Sequence, residues 1–247
     1  MKTSSKILLG LFLCILLCVT IFAIYVVSTL SNHTKWQEAT VAISQERQLP
    51  HFYQIETTDG ISVEFTQDTV QKIVVVADSL LLKDVITEVK DGKLLLHRNG
   101  NDNFDMDVIV KINVDSLTSL DVSAGSSFKL TNTLKGYALD AKVSSGGYVE
   151  GGFDFTSLKF DFSSGSNADI KGKTVRLEVE ASSGSNFKAV NLASVSAIVK
   201  ASSGGNMDIN VSGDISVDAS SGGNITYIGS PNLKSINVNS GGNLNKR

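Results

Sequence analysis

Apolar and polar positions alternate with a period of two through the second half of the chain, and the alternation itself repeats. Seven short phrases end on a glycine: Asp121-Val122-Ser123-Ala124-Gly125, Lys142-Val143-Ser144-Ser145-Gly146, Asp161-Phe162-Ser163-Ser164-Gly165, Glu180-Ala181-Ser182-Ser183-Gly184, Lys200-Ala201-Ser202-Ser203-Gly204, Asp218-Ala219-Ser220-Ser221-Gly222 and Asn237-Val238-Asn239-Ser240-Gly241. The glycines step by 21, 19, 19, 20, 18 and 19 residues. Three positions before the glycine, five before it and three after it, every copy carries an apolar residue; Phe162, Phe160 and Ala168 are one such set. The position between the first two is polar in every copy. Period two puts the three columns on one face of short strands, and no spacing of three and four marks a helix within the repeat.

A fixed period near 19 residues is the signature of a stacked-repeat fold. Short extended segments joined by bends predict a coil, each turn pairing its backbone with the next at ~4.8 Å, so that seven coils extend roughly 30 Å. The Ser-Ser-Gly phrase is the expected corner, because glycine reaches positive φ without steric cost. Gly125, Gly146, Gly165, Gly184, Gly204, Gly222 and Gly241 are the predicted corner glycines. Two residues after five of them stand Asn167, Asn186, Asn206, Asn224 and Asn243. This column predicts a ladder of stacked amides over the last five coils, the first two carrying Ser127 and Tyr148 instead.

The pattern before Asp121 is strand-rich but does not share the phrase. Ile61 to Phe65 and Ile73 to Val76 alternate as strands, and Leu80 to Val85 fits one short helical turn. Val85 to Val89 and Leu94 to His97 predict a hairpin across Asp91-Gly92. Asp107 to Val114 alternates again. Residues 51–120 are expected to close the N-terminal end of the coil, because an open sheet end invites edge pairing. The other end is expected to be either blunted by Lys234, Lys246 and Arg247 or used for self-association through the C-terminal coil.

The first thirty residues differ in kind. Ile7 to Leu30 is 24 positions without a charge or a proline. As a helix this run is about 36 Å long, enough to cross a ~30 Å hydrocarbon core. It exceeds the apolar core of a cleavable signal peptide. A retained signal anchor over 1–30 is therefore expected, followed by a linker over 31–50. Lys2 and Lys6 put the N-terminus in the cytoplasm and the remainder in the periplasm or outside the cell.

Composition narrows the chemistry. Proline is rare, 2 in 247 residues, as paired strands require. Residues 51–247 hold 18 Lys and Arg against 23 Asp and Glu, a net of −5, which leaves no footprint for nucleic acid. Both cysteines, Cys14 and Cys18, lie in the apolar run, so disulfide, zinc and thiol chemistry is unavailable to the rest.

The order of motifs resembles a known family. Phe52 to Ile55, Gly60-Ile61-Ser62-Val63 with Thr66-Gln67, and Val74 to Asp78 with Leu81-Leu82 are similar to the opening of the head GIN domain. Thr87 to Leu94 resembles its hairpin, and the Ser-Gly repeats resemble its body. The resemblance covers residues 50 to 245. It implies a right-handed β-helix of adhesin type, common in Bacteroidetes, with no established catalytic residues. An auto-transporter plan would add a C-terminal barrel, which this sequence does not show.

An enzyme must still be weighed, because β-helices include polysaccharide lyases and hydrolases. Asp102, Asp105 and Asp107 cluster near His97 and Arg98 and could act as paired acid and base or hold calcium; a solvated loop is the plainer reading. No nucleophile elbow, phosphate loop or zinc spacing occurs, and no cofactor is implied. The expected fold is thus all-β, a right-handed β-helix-like solenoid of ~19-residue coils over 121–247, preceded by the section 51–120 and one N-terminal transmembrane helix. The expected function is a non-enzymatic, membrane-anchored module of the cell envelope that binds a glycan or a protein through its long face. The alternatives are a carbohydrate-active enzyme and a purely structural envelope protein. Phe104, Tyr148 and Tyr227 are candidate contact aromatics.

Overall fold

A computed structural model of the protein describes Thr20, residues 42–100 and residues 107–247. Met1–Val41 and Ala42–Arg247 are separate units. The expected anchor over 1–30 lies outside the described residues except for Thr20, which is helical. Among the described residues no helix is long and apolar enough to cross a membrane.

The described part of Ala42–Arg247 is all-β, an 18-stranded solenoid sheet without a helix. Its first strands are β1 (Ala42–Arg47), β2 (Gln54–Thr57), β3 (Ile61–Gln67), β4 (Lys72–Asp78), β5 (Val85–Lys90), β6 (Lys93–Arg98) and β7 (Val108–Val114). The repeats supply β8 (Ser119–Val122), β9 (Ser127–Leu130), β10 (Leu134–Val143), β11 (Tyr148–Phe162), β12 (Asn167–Ala181) and β13 (Asn186–Ala201). The last are β14 (Asn206–Val211), β15 (Asp214–Ala219), β16 (Asn224–Ile228), β17 (Asn232–Val238) and β18 (Asn243–Lys246).

From β8 onward all pairing is parallel, and each repeat lies on its own equivalent. Val143 faces Phe162, Phe162 faces Ala181, Ala181 faces Ala201, Ala201 faces Ala219 and Ala219 faces Val238. The three apolar columns are buried through the first six corners. Phe153, Phe160, Phe162 and Phe187 meet near the middle of this core, Phe187 at 5.3 Å from both Phe160 and Phe162. The uneven steps are absorbed away from the corner, as register shifts between Asp169 and Lys171 and between Ala189 and Ala193.

The repeat frame reaches further back than its phrase. Ile55 faces Leu120, Thr57 faces Val122 and Val63 faces Phe128, so β2 and β3 form a coil whose corner is Asp59-Gly60. On its far side β6 and β7 add another layer, Leu94 on Ile55 and Val110 on Val63. The coil of β2 and β3 therefore lies between strands that follow it in sequence. The expected boundary at residue 120 is interleaved in space.

The N-terminal end is closed by a change of direction. β5 runs antiparallel on β6 across Asp91-Gly92, and β4 antiparallel on β7. β1 adds antiparallel to β4, so residues 42–47 of the expected linker are a strand of this unit. The short helical turn expected at Leu80 to Val85 is a turn held by bonds from Leu82 N–H to Asp78 C=O and from Val85 N–H to Leu81 C=O. At the other end the inward residues Leu233, Ile236 and Val238 stand 52%, 42% and 42% exposed, whereas Ile215, Val217 and Ala219 beneath them are buried.

Candidate binding surface

The Ser-Ser-Gly corner is a two-residue turn in which both central residues are left-handed. Ser164 has φ 52° and Gly165 φ 71°, and the other six corners match within a few degrees. In each, the N–H of the residue after the glycine donates to the C=O three residues before itself, as Ser166 does to Ser163 at 3.1 Å. This is the geometry of a type I′ turn. The serine at the first central position was not marked by the sequence as a left-handed residue. Successive corners are also bonded to each other, Gly165 N–H to Ser183 C=O at 3.0 Å and Gly184 N–H to Ser203 C=O at 3.2 Å.

The residue after the glycine is a second constraint that the sequence carries and its reading missed. It is serine or glycine in all seven repeats. Ser126, Ser166 and Ser185 are fully buried there. A Cβ on Gly205 would stand 2.2 Å from the Ala181 carbonyl oxygen, and one on Gly223 2.3 Å from that of Ala201. The next column is the asparagine ladder. Asn186 donates to Asn167 Oδ1 at 3.1 Å, Asn206 to Asn186 at 3.1 Å, Asn224 to Asn206 at 3.0 Å and Asn243 to Asn224 at 2.9 Å. Four of these amides also donate to the carbonyl of their own corner glycine.

Outward columns carry the charge. Lys111, Glu64, Lys129 and Glu150 stack in successive layers, with ion pairs Lys111–Glu64 and Lys129–Glu150 both at 3.5 Å. On the adjoining strand face Glu56 lies beside Asp121, and Lys93 is 3.1 Å from Glu56. Burial, then the Glu56 carboxylate, raise the Asp121 pKa above its ordinary 3.8, and Lys93 and Lys142 oppose the rise.

The bend between Gly136 and Ala138 and its counterparts form a grooved outer surface. Gly136 faces Phe155, Phe155 faces Thr174 and Thr174 faces Ser194. One residue further along, Tyr137, Val175 and Val195 point outward, 78%, 54% and 51% exposed, with exposed Thr156 between the first two. A groove of about 450 Å³ runs beside this stripe, lined by Phe155, Thr156, Val175 and Val195 among others. A second, of about 480 Å³, lies on the other side of Tyr137, over Leu117 and Thr118. A third, of about 680 Å³, is lined by Asp68, Asp115, Asp154 and Lys135. The three share Gly136, Lys135 or Asp154 and make one tract. Its floor is fixed: the Gln67 amide nitrogen donates to the Asp115 and Lys135 carbonyls, and Asn132 bonds both backbone groups of Gln67. Asp154 pairs with Lys173 at 3.4 Å, and His51 lies 3.6 Å from Asp115.

The residues singled out by sequence fall unevenly on this surface. Asp102, Asp105 and Phe104 lie outside the described residues, and Asp107 is exposed just before β7. Among the described residues no group of three or more His, Cys, Asp or Glu could hold a metal ion. Tyr227 is 8% exposed and packs in the core, so it is not a contact aromatic; Tyr148 is 37% exposed. Tyr137, which the sequence did not single out, is the most exposed described aromatic.

The family described as "Putative auto-transporter adhesin, head GIN domain" matches residues 51–231. No curated protein matches the chain. Among solved structures, a "putative adhesin" of Bacteroides fragilis NCTC 9343 is similar with a TM-score of 0.77 and 19% identity, over 84% of this chain and 97% of its own. A "putative adhesin" of Parabacteroides distasonis ATCC 8503 is similar with a TM-score of 0.69 and 19% identity, over 85% and 98%. A "Putative lipid binding protein" of the same organism is similar with a TM-score of 0.64 and 18% identity, over 85% and 98%.

Proposed function

We infer that this chain, which belongs to the head GIN domain family, is a non-enzymatic module of the cell envelope that binds a glycan or a protein through the outer face of its solenoid. The observation that carries this reading is the continuous tract at the Tyr137 bend, built on strands whose backbone groups are held in a parallel ladder. Such a ladder moves little when a ligand arrives, so many weak side-chain contacts add without a large ordering cost. The family's name supports a place in the envelope. The anchor expected over 1–30 would hold the solenoid at a membrane, periplasmic or extracellular, and a right-handed coil is the reading that the family resemblance supports.

The uncovered residues Leu233, Ile236 and Val238 extend the core columns to the last coil. We propose a second copy of this chain as their partner, stacking coil on coil. Light scattering across a concentration series should show association that Ile236→Lys abolishes; a strict monomer at high concentration ends this part of the reading.

The binding role is tested by glycan arrays and envelope-protein pull-downs with the full-length protein. Binding without turnover is expected. Silence on both would favour a purely structural protein, and depolymerisation of an array glycan would favour the enzyme.

A further inference from the structure

We propose that the Tyr137 bend is a platform for a neutral polysaccharide chain lying along the stacking axis, across β10 to β13; this rests on the binding role inferred above and names its place and ligand class. The aromatic side chains lead to it. Every described phenylalanine is at most 3% exposed, Tyr227 is in the core, and the Tyr53 ring covers Gly92. Tyr137 alone among the described aromatics is more than half exposed. It starts a stripe continued by Thr156, Val175 and Val195, one outward residue per coil. Exposed apolar side chains aligned along one face, here interrupted once by Thr156, are the kind of surface that marks an interaction site.

The chemistry around the stripe selects the occupant. A pyranose ring has apolar C–H faces and a rim of hydroxyls, each of which donates and accepts. Tyr137 offers a flat face for the first, and Val175 and Val195, two and three coils further on, add apolar contacts beyond Thr156. Asp115 and Asp154 accept from hydroxyls and Lys135 donates, such bonds being stronger when one partner is charged. The third groove carries Asp68, Asp115 and Asp154 against Lys135, with Lys173 beside Asp154. With both signs present, a polymer of uniform charge meets repulsion as well as attraction. An extended peptide usually gains affinity by adding a strand to a free edge. Here β11 and β12 are paired on both sides, so this face has no edge to give.

Calorimetric titration of the full-length protein with cellohexaose, maltohexaose, chitohexaose and polygalacturonate tests the proposal. At least one neutral hexasaccharide should bind. Tyr137→Ala should weaken that binding roughly tenfold, and Val175→Ser or Val195→Ser about threefold, the scale of a lost aromatic or small apolar contact. Tyr137→Phe should bind nearly as wild type. All three side chains face solvent, so thermal melting should not move. Neutral-glycan binding that survives Tyr137→Ala would place the site elsewhere and sink the proposal while leaving the binding role intact. Binding of polygalacturonate alone, or capture of envelope proteins with no response to any hexasaccharide, would overturn the ligand class.

Discussion

In residues 42–120, β1, β4 and β5 run against their neighbours, and the residues that meet, Ile73 with Ile112 and Val75 with Val110 among them, are not counterparts in a repeated phrase. From β8 onward all pairing is parallel, and outside the register shifts each residue meets its own counterpart one repeat away. The corners show what that difference demands. At the corner of β2 and β3 the left-handed pair is Asp59-Gly60, and at the β5–β6 hairpin it is Asp91-Gly92. Aspartate is among the best non-glycine residues for that conformation. In the repeats its place is taken by Ala124 and then six serines. A carboxylate suits one isolated turn, but a column of them ~4.8 Å apart would repel, and an uncharged small side chain does not. The next position tells the same story. Ile61 follows Gly60 and is buried there, whereas only serine or glycine follows the seven repeat glycines.

The comparison breaks most clearly at the small column. Gly205→Ala sets a Cβ 2.2 Å from the Ala181 carbonyl oxygen, which must force the coils apart. A loss of about 3 kcal/mol is expected, a fall of ~6–12 °C in melting temperature. Gly204→Ala and Gly60→Ala meet nothing within 4 Å and bear only the cost of positive φ, so each should lose about 1–2 kcal/mol, equally in both regions. Equal losses at Gly204 and Gly205 would show that crowding between coils is not what restricts this column.

Next in size is the ladder. Asn206→Ala removes bonds to Asn186 and to Gly204 and the acceptor for Asn224, and should cost about 1–2 kcal/mol in urea unfolding. Asn243→Ala, at the last rung, should cost about half as much. The triple change Ser164→Asp, Ser183→Asp, Ser203→Asp puts a column of carboxylates at successive corners. It should lose about 1 kcal/mol at low ionic strength and recover much of it in roughly 0.5 M salt. A salt-independent loss would refute charge as the reason for serine.

The smallest effect lies where the two regions meet. Asp121 has a raised pKa, so the native state holds that proton to higher pH than the unfolded chain. Its ionisation therefore costs stability as pH rises above the ordinary 3.8. Asp121→Asn should raise the melting temperature by about 1–2 °C at pH 7. The gain should shrink as the pH falls towards 3.8, measured by paired melts across that range.

The repeat, its inward columns and its corner glycines were legible because the same residue types return at a fixed step. The coil of β2 and β3 was not, although Ile55, Thr57 and Val63 keep the same offsets from Gly60. Its corner carries Asp59 where the repeats carry serine, and Gly60 stands 65 residues before Gly125, outside any period. The Tyr137 stripe was hidden for a related reason. Tyr137, Thr156, Val175 and Val195 each stand nine residues before the next corner glycine, but they share no residue type, so the column carries no repeated signature.

The sequence by itself determined the coil: period two chose inward and outward residues, and glycine chose the corner, both through the local geometry of a few residues. Tertiary structure decided that β2 and β3 lie between β6–β7 and β8–β9, that an antiparallel layer closes one end, and that Lys135, Gly136 and Asp154 border adjoining grooves beside Tyr137. Those outcomes depend on which distant backbone edges pair, and hydrogen bonds between edges carry no mark in the order of side chains.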